Sequence, residues 1–383
     1  MKRLISIGLA LTVAAVAAAC GSTSDTTTTE PATSAPAPAA STDAGTTAPA
    51  AAPIKAAWIF VGPHDDHGWS QAHDTGRQYV QDQMGDAVVT TFKENVPEPE
   101  VAPVIDQLIA DGNKIIFATS FGYQDAMVAA AAAHPDVYFE MATGYKTSPN
   151  MAVYFGAGED AIYLSGMAAG AATKSGTIGY IVPFPIPEVV RHANAFTLGA
   201  QKTHPGAKVK VVWTKSWFAP DVEAKAAEGL IAAGADVIGQ NVDSPAGGQV
   251  SEKKSIPWVG YDSDATTFAP TQWLTAAVYN WGPYYLQRTK AAADGTWATG
   301  AYYGSIADGF TDIAPFGPSV SQETKDAIES VKQELVAGTF YEFQGPLKDQ
   351  DGKERVAEGA KMSLEEILAM DWFVAGMEGS PKG

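Results

Sequence analysis

Aromatic and acidic side chains follow several apolar, strand-like runs of this sequence, and they are its best candidates for chemistry. Trp69 comes after the first such run and Trp217 after a later one, while Asp243 and Asp262 directly follow two more. Because the carboxyl ends of parallel strands meet at one edge of a sheet, these side chains are expected to line a shared cleft. An indole offers a flat face for stacking, and a carboxylate accepts hydrogen bonds from N–H or O–H groups.

Four further residues are candidates for the same cleft. Phe121 follows a strand-like run, Phe184 lies among three prolines, and Asn280 and Trp281 stand where the chain is expected to cross between lobes. Each candidate also has a structural interpretation. Trp69 could pack against the first helix, the prolines around Phe184 could form only a rigid turn, either aspartate could cap a helix, and residues 280–281 could form a hinge.

A metal site is the competing interpretation of the loop after the first strand, which carries His64, Asp65, Asp66 and His67, with His73 just beyond it. Histidine and carboxylate are zinc ligands, but the spacing matches no known helical metal motif. The sequence also lacks a phosphate-binding loop, a nucleophile elbow and a zinc-protease motif. We therefore predict no metal, no cofactor and no enzyme activity, with a metal-dependent hydrolase at 64–73 as the weakest alternative.

The pattern of apolar runs predicts an α/β protein. Apolar, β-branched and aromatic runs alternate with helical stretches, which is typical of parallel strands buried on both faces with helices on either side. Residues 101–110 carry a helical stripe that ends at Asp111-Gly112. Ten strands are predicted, at 55–61, 87–92, 114–119, 137–142, 152–155, 177–182, 209–213, 237–241, 258–261 and 274–279.

A faint internal repeat suggests two similar lobes. The helix end and strand at 108–119 resemble those at 230–241, and the same offset relates Lys93 to Lys215. We assign residues 54–155 and 281–299 to the first lobe and residues 156–280 and 300–383 to the second. Two such lobes enclose a cleft, which is the architecture of a receptor that closes on a small solute.

The N-terminal segment predicts export and lipid anchoring. Residues 1–19 have a basic start and a short apolar run, as in a secretory signal peptide, and Cys20 follows three alanines. This resembles a lipobox, in which the thiol is acylated, although an incidental cysteine is the alternative. Residues 20–53 are rich in Ser, Thr, Ala and Pro and predict a disordered tether. We expect a lipid-anchored protein on the extracytoplasmic face of the cell membrane.

Charge and cysteine content exclude other classes of protein. The net charge is −18, and loss of Lys2 and Arg3 with the signal peptide makes the mature chain more acidic still. Such a surface is a poor partner for nucleic acid. Cys20 is the only cysteine, so the mature chain can form no internal disulfide. We expect a monomer that is stabilised by packing.

The chain resembles the BMP family, the basic membrane protein lipoproteins that serve as ABC-transporter substrate-binding proteins. The likeness extends from residue 55 to about residue 376. It rests on His67-Gly68-Trp69, Glu94-Asn95-Val96-Pro97, Ala142-Thr143-Gly144-Tyr145-Lys146, Phe184-Pro185-Ile186-Pro187-Glu188-Val189, Asn194-Ala195-Phe196, Asp243-Ser244-Pro245, Asn280-Trp281-Gly282-Pro283-Tyr284-Tyr285, Asp294-Gly295-Thr296-Trp297 and Lys348-Asp349-Gln350-Asp351-Gly352.

This resemblance implies a type I periplasmic-binding-protein fold, a purine ligand and a membrane permease as partner. The family's studied members bind purine nucleosides, whereas Trp69 in place of the usual Phe is similar to members that hold a bare purine base. It further implies that Trp69 and Trp217 sandwich the base, with Phe184 or Phe121 at the rim. By the same resemblance Asp243 takes the N–H edge of the base, and Asp262 and Asn280 add polar contacts.

Two alternatives to a purine remain open from the sequence. A sugar also stacks on aromatic rings, although sugar sites usually carry more charged side chains and Arg191 is the only obvious one here. The other alternative is a surface lipoprotein used for signalling or adhesion and not coupled to transport.

Overall fold

The computed structural model describes residues 52–383, which build two parallel sheets flanked by helices. The signal peptide, Cys20 and nearly all of the tether that the sequence predicts lie outside the described residues. Within residues 52–383, no helix is both long enough and apolar enough to span a membrane.

The first sheet contains six parallel strands in the order β11-β5-β4-β3-β1-β2. Strand β1 pairs with both β2 and β3, so it lies inside the sheet, next to the edge strand β2. Its strands are β1 (Ile54–Ile59), β2 (Val88–Lys93), β3 (Ile115–Ala118), β4 (Tyr138–Ala142), β5 (Met151–Gly156) and β11 (Ala301–Gly304).

The second sheet has the order β12-β10-β9-β8-β6-β7-β15. Each of its first six strands corresponds to a strand of the first sheet, and β12 alone runs antiparallel to its neighbour. Its strands are β6 (Thr177–Val182), β7 (Lys208–Trp213), β8 (Val237–Gln240), β9 (Trp258–Asp262), β10 (Trp273–Tyr279), β12 (Thr311–Ile313) and β15 (Met377–Glu378); a separate ribbon joins β13 (Leu347–Lys348) to β14 (Glu354–Val356).

Helices cover the faces of both sheets, as parallel sheets require. The predicted helix at 101–110 is present and buries Val101, Ile105 and Leu108. The helices are α1 (Trp69–Met84), α2 (Val101–Ala110), α3 (Gln124–Ala133), α4 (Gly158–Ala172), α5 (Pro187–Thr203), α6 (Pro220–Ala232), α7 (Ala246–Lys254), α8 (Trp281–Ala293), α9 (Gln322–Val336) and α10 (Leu364–Leu368). The α/β prediction is therefore confirmed.

All ten predicted strands are present, within one to two residues at their ends. The sequence analysis missed β11 to β15, which have two to four residues each and few buried side chains. One of these bears on the predicted lobes. Residues 300–383 were placed in the second lobe, but β11 pairs with β5 in the first sheet. The run Ala301-Tyr302-Tyr303, of which the first two residues are exposed, has no apolar pattern to indicate this.

The chain crosses between the two sheets three times, at 156–158, 279–281 and 304–311. Both sheets belong to one compact unit, Ala51–Gly383. The amide of Ala157 donates to the carbonyl of Gly304 at 2.6 Å, and the amide of Asn280 donates to the carbonyl of Phe310 at 2.8 Å. The three crossings therefore lie side by side and are joined by hydrogen bonds.

Helices α4 and α5 pack so closely that glycine is needed between them. A Cβ atom on Gly199 would overlap the carbonyl group of Tyr163, with the carbonyl carbon at 2.8 Å. By contrast, Gly229 on α6 has nothing within 4 Å of its Cβ position. The same substitution should therefore have opposite effects at the two sites.

We expect Gly199→Ala to lower the free energy of unfolding by about 1–3 kcal/mol, because the helices must move apart. Gly229→Ala is the matched control and should raise the free energy of unfolding by about 0.5–1 kcal/mol through helix propensity. Urea denaturation of both variants measures this. Equal effects would contradict the close packing of α4 and α5.

Candidate functional site

The loop that carries Trp69 is fixed by the side chain of Asp66. Its two carboxylate oxygens accept hydrogen bonds from the amides of Gly68, Ser70 and Gln71, at 2.8 to 2.9 Å. These amides are among the free N–H groups at the start of α1, which favour a negative charge. Asp66 therefore serves as an anchor of the loop.

Trp69 itself is buried but presents part of its ring to an internal space. Its indole Nε1 donates to the carbonyl oxygen of Thr119 at 2.6 Å. Its ring packs edge to face against Trp281 at 5.5 Å and against His73 at 4.3 Å. One side of the Trp69 ring therefore packs against other side chains, as its structural interpretation expects, while the other side faces the space.

This space, the inner cavity, is a narrow gap of about 20 Å³ between the two sheets. Both sheets supply its lining from the loops after their strands, as expected for an open α/β sheet. The lining residues are Val61, Trp69, Thr119, Ser120, Phe121, Thr143, Glu188, Trp217, Asp243 and Tyr261. The structure thus brings together four of the eight residues proposed from the sequence, namely Trp69, Phe121, Trp217 and Asp243.

The other four candidates lie outside this lining. Phe184 packs behind Trp217, with ring centroids 5.4 Å apart, and Trp281 lies behind Trp69. Asp262 is buried next to the lining residue Tyr261. Asn280 is exposed at a crossing between sheets, where its side chain donates to the carbonyl of Gly309 at 3.4 Å. We find no contact of Asn280 with the inner cavity.

Neither aspartate caps a helix. The N-cap of α7 is Pro245, without a side-chain hydrogen bond, although Asp243 lies just before it. Within the part of the chain that the structure describes, Asp243 Oδ2 and both carboxyl oxygens of Asp262 are buried without a hydrogen-bond partner. A buried acceptor without a donor is costly, and of the two carboxyls only that of Asp243 lines the inner cavity, where it could accept a ligand N–H or O–H group.

Burial raises the pKa of the acids around the cavity. Removal from water, and then the charges of Asp66 and Asp262, raise the pKa of Asp243 well above its usual range. Burial likewise raises the pKa of Glu188 to about 7, against a smaller opposing effect of Arg191. No Lys, Arg or His stands among the residues that line the inner cavity. The cavity therefore disfavours anions and suits ligands that donate hydrogen bonds.

The two lobes meet across the loop that carries Trp69. A Cβ atom on Gly68 would lie 2.8 Å from Cα of Asp243, so glycine permits the close approach of the two chains. The hydroxyl of Ser263 donates to the carbonyl of His67, and the His67 ring lies 4.6 Å from that of Phe268. The structure is therefore closed at this edge of the cleft.

A second space, the vestibule, adjoins the inner cavity and occupies about 380 Å³. The two spaces share Phe121, Thr143 and Glu188. The other vestibule residues are Gly144, Tyr145, Val153, Tyr154, Phe155, Ile186, Pro187, Arg191, Ala301, Tyr302, Tyr303, Leu364 and Leu368. The vestibule is thus the more open part of the same cleft.

Sequence reasoning missed Glu188, Thr143 and Tyr261 as lining residues. Tyr261 precedes the candidate Asp262, and Glu188 and Thr143 lie in motifs that were noted only as family features. The signal that could have found Glu188 is its place in the first turn of α5, directly after a strand and a proline-rich loop. Helix N-termini at the carboxyl edge of a sheet point toward the cleft.

The histidine and carboxylate side chains of 64–73 have separate partners. His64 Nδ1 is 2.7 Å from a carboxylate oxygen of Glu94, and His73 Nδ1 is 2.6 Å from the hydroxyl of Tyr285. Residues 52–383 contain no group of three or more His, Cys, Asp or Glu side chains that could hold a metal ion.

Two lobes that close on a buried cavity define a solute-binding protein. The structure is similar to a solute-binding protein of an ABC transporter from Aeropyrum pernix, with a TM-score of 0.66 and 15% identity over 78% of this chain and 93% of that one. It is also similar to one from Conexibacter woesei, with a TM-score of 0.63 and 18% identity over 75% of this chain and 98% of that one. These likenesses establish the fold of a periplasmic binding protein.

Sequence comparison then gives the family. Residues 54–339 match the Bmp family, described as ABC transporter substrate-binding protein PnrA-like, so the chain belongs to that family. It is 42% identical to a purine-binding protein of Brucella abortus, over 87% of this chain and 95% of the relative. It is 35% identical to a putative ABC transporter glucose-binding protein of Haloferax volcanii, over 85% of this chain and 81% of the relative. The resemblance seen in the sequence is confirmed.

Membership of this family makes the protein the extracytoplasmic substrate-binding component of an ABC transporter. Its partners are therefore a small-molecule ligand and a membrane permease.

The raised pKa of Glu188 predicts how stability depends on pH. Between the usual value of 4.5 and about 7, the folded protein retains a proton on Glu188 that the unfolded chain has lost. The free energy of unfolding should therefore fall as the pH rises through this window. Glu188→Gln should make that fall shallower, and urea denaturation between pH 4.5 and 7.5 measures it. Identical slopes for both proteins would contradict the assignment.

Proposed function

We propose that this protein captures a purine base or purine nucleoside outside the cytoplasmic membrane and delivers it to the permease of an ABC importer. One observation carries the proposal. Trp69 from one lobe and Trp217 from the other line the same inner cavity, together with the buried carboxyl group of Asp243.

The chemistry of a purine matches this lining. A flat ring system stacks on indoles, and it displaces water from both of its faces when it does so. Its N–H groups can donate to Asp243, whose Oδ2 has no other donor within residues 52–383. Leaving such a group unpaired costs about 1–3 kcal/mol, so the acid favours ligands with a donor at that position. Capture then depends on stacking, and specificity depends on hydrogen bonds.

The remaining candidates have supporting parts in this proposal. Trp281 holds Trp69 in place from behind, and Phe184 does the same for Trp217. Asp262 is a second buried carboxyl group next to Asp243, and burial raises the pKa of both. The 42% identical relative from Brucella abortus is named a purine-binding protein, which supports the choice of ligand. The protein acts by binding and release and has no catalytic role.

The location of the protein follows from its first residues. We propose that residues 1–19 are removed, that Cys20 is acylated, and that residues 20–53 tether the folded lobes to the membrane. A tether rich in Ser, Thr, Ala and Pro lets the lobes reach the permease at the membrane surface.

A sugar is the second candidate ligand, because the relative from Haloferax volcanii is named a putative glucose-binding protein. Sugars also stack on aromatic rings, but their hydroxyl groups need both donors and acceptors. The inner cavity presents two indole rings and two buried carboxyl groups, and this lining favours the purine.

Thermal unfolding with a panel of ligands tests the proposal. Adenine, guanine, hypoxanthine, their nucleosides, ribose and glucose are compared at equal concentrations. A ligand present at 100 times its Kd should stabilise the folded protein by about 2.7 kcal/mol, which raises Tm. We expect purines to raise Tm and glucose to leave it unchanged. A shift with glucose and none with any purine would overturn the proposal in favour of the sugar.

Trp217→Ala should weaken purine binding by about 10- to 100-fold, because stacking of a base on an aromatic ring is worth about 1–3 kcal/mol. Trp213→Ala is the matched control. Trp213 is also half-buried, but its ring stacks on Phe373 at 6.3 Å and its Nε1 donates to the carbonyl of Ser380 at 2.9 Å.

Titration calorimetry measures both variants. We expect Trp213→Ala to lower the free energy of unfolding without changing the affinity for purine. Trp217→Ala should weaken purine binding without lowering the free energy of unfolding. Unchanged affinity in Trp217→Ala would remove that residue from the site.

A further inference from the structure

Three residues connect the two lobes at a place outside both ligand spaces. The hydroxyl of Ser263, in the loop after β9, donates to the carbonyl oxygen of His67, in the loop after β1. The His67 ring lies 4.6 Å from the ring of Phe268, which also belongs to the second lobe. None of the three residues lines the inner cavity or the vestibule. We call these three residues the clasp.

The clasp lies away from the crossings that join the lobes. In the first sheet, β1 is three strands from β5, the strand that leads into the crossing at 156–158. Neighbouring strands are about 4.8 Å apart, so the loop after β1 lies about 14 Å from that crossing. A rotation about the crossings therefore moves the His67 carbonyl away from Ser263, and a hydrogen bond is lost beyond about 3.5 Å. The clasp forms only while the lobes are closed.

The backbone on both sides of the clasp has an uncommon conformation. His67 has a φ angle of 64°, and so does Asp262, which directly precedes Ser263. Residues with a side chain rarely adopt this left-handed region, and they keep it only where surrounding contacts enforce it. In the first lobe Asp66 supplies such a contact, because its carboxylate accepts from the amide of Gly68 at 2.8 Å. The His67 carbonyl is therefore held in a fixed position, where the hydroxyl of Ser263 meets it.

The clasp stabilises the closed lobes whether or not a ligand is present. When the lobes open, water replaces both partners of the hydrogen bond, so its net contribution is that of an ordinary neutral hydrogen bond. The contact between the rings of His67 and Phe268 adds apolar area that closure removes from water. A contribution of this size shifts an equilibrium between open and closed lobes about 5-fold. Ligand and clasp therefore act separately on the same equilibrium.

We propose that the clasp is a conformational device that keeps part of the empty protein closed and slows the release of a bound ligand. A ligand held between closed lobes leaves only after they open, so its dissociation rate depends on contacts that it does not itself make. The inference concerns the closure of the lobes and holds for any small solute that the cleft takes.

Two substitutions remove the two contacts of the clasp separately. Ser263→Ala removes the hydroxyl that donates across the cleft. His67→Asn removes the ring but keeps the backbone carbonyl, and asparagine tolerates the left-handed conformation better than most residues do. Both sites are only half-buried, so we expect both variants to fold.

Each substitution has a matched control whose contact stays inside one lobe. Thr266→Val removes a hydroxyl that donates to Asp264 in the same loop. His64→Asn removes a ring that lies 5.1 Å from the ring of Phe92, a residue of β2 in the same lobe. The controls therefore lose a similar group without losing a contact between the lobes.

Small-angle X-ray scattering of the ligand-free protein measures closure. We expect both clasp variants to have a larger radius of gyration than the wild-type protein, and both controls to match the wild type. Stopped-flow tryptophan fluorescence with adenine as the probe measures release. We expect adenine to dissociate about 5-fold faster from each clasp variant, with no slower association, and at the wild-type rate from each control.

The scattering result decides on the clasp without any ligand. Wild-type radii of gyration in both clasp variants would overturn the proposal, and so would expansion of the controls to the same extent. A larger radius with unchanged release of adenine would overturn the role of the clasp in release. Failure of the wild-type protein to bind either adenine or adenosine would count against the proposed function instead, and the radii would still decide on the clasp.

Discussion

The cleft depends on a single carboxylate that holds the loop before α1. Asp66 binds three backbone amides, and this fixes both Gly68 and Trp69. Residue 68 must be glycine because the backbone of Asp243 leaves no room for a side chain. Trp69 is held at the same time by its hydrogen bond to Thr119. One acid therefore sets the position of the stacking surface in the first lobe and the point at which the second lobe meets it. Loss of that anchor would disturb recognition and closure together.

The second constraint lies at the opposite end of the cleft, where the chain crosses between sheets. The ring of Phe310 fills the space that Cβ atoms on Gly156 and Gly304 would need, with its Cδ1 at 2.5 Å from the first and 2.7 Å from the second. It also packs edge to face on Trp281 at 5.0 Å. Trp281 in turn supports Trp69. The crossings between the sheets and the ring of Trp69 therefore belong to one continuous aromatic cluster. A change in the angle between the lobes would move the rings at the base of the site.

Much of this arrangement could be predicted from the sequence because buried parallel strands leave a strong local signal. The repeat between 108–119 and 230–241 corresponds to β3 and β8, which occupy equivalent places in the two sheets. Trp69, Trp217 and Asp243 could be proposed as cleft residues because each follows a strand. The sequence could not place Asn280 relative to the cleft, because a residue at a crossing can face either way. The walls of the vestibule could not be predicted, since Glu188 and Leu368 are far apart in sequence and meet only through the C-terminal segment.

The electrostatics of the cavity connect ligand capture with closure. Closing the lobes removes Asp243 and Glu188 from water, and burial raises the pKa of both. That cost opposes closure unless donors come with the ligand, because a buried acceptor without a donor loses its bonds to water without replacement. A ligand that offers N–H and O–H groups offsets the cost and so favours the closed state over the open one. In the function proposed here, the permease distinguishes loaded from empty protein by the shape of the two lobes. The same proposal gives the buried acids two roles, because they select a ligand with donors and make closure depend on its presence.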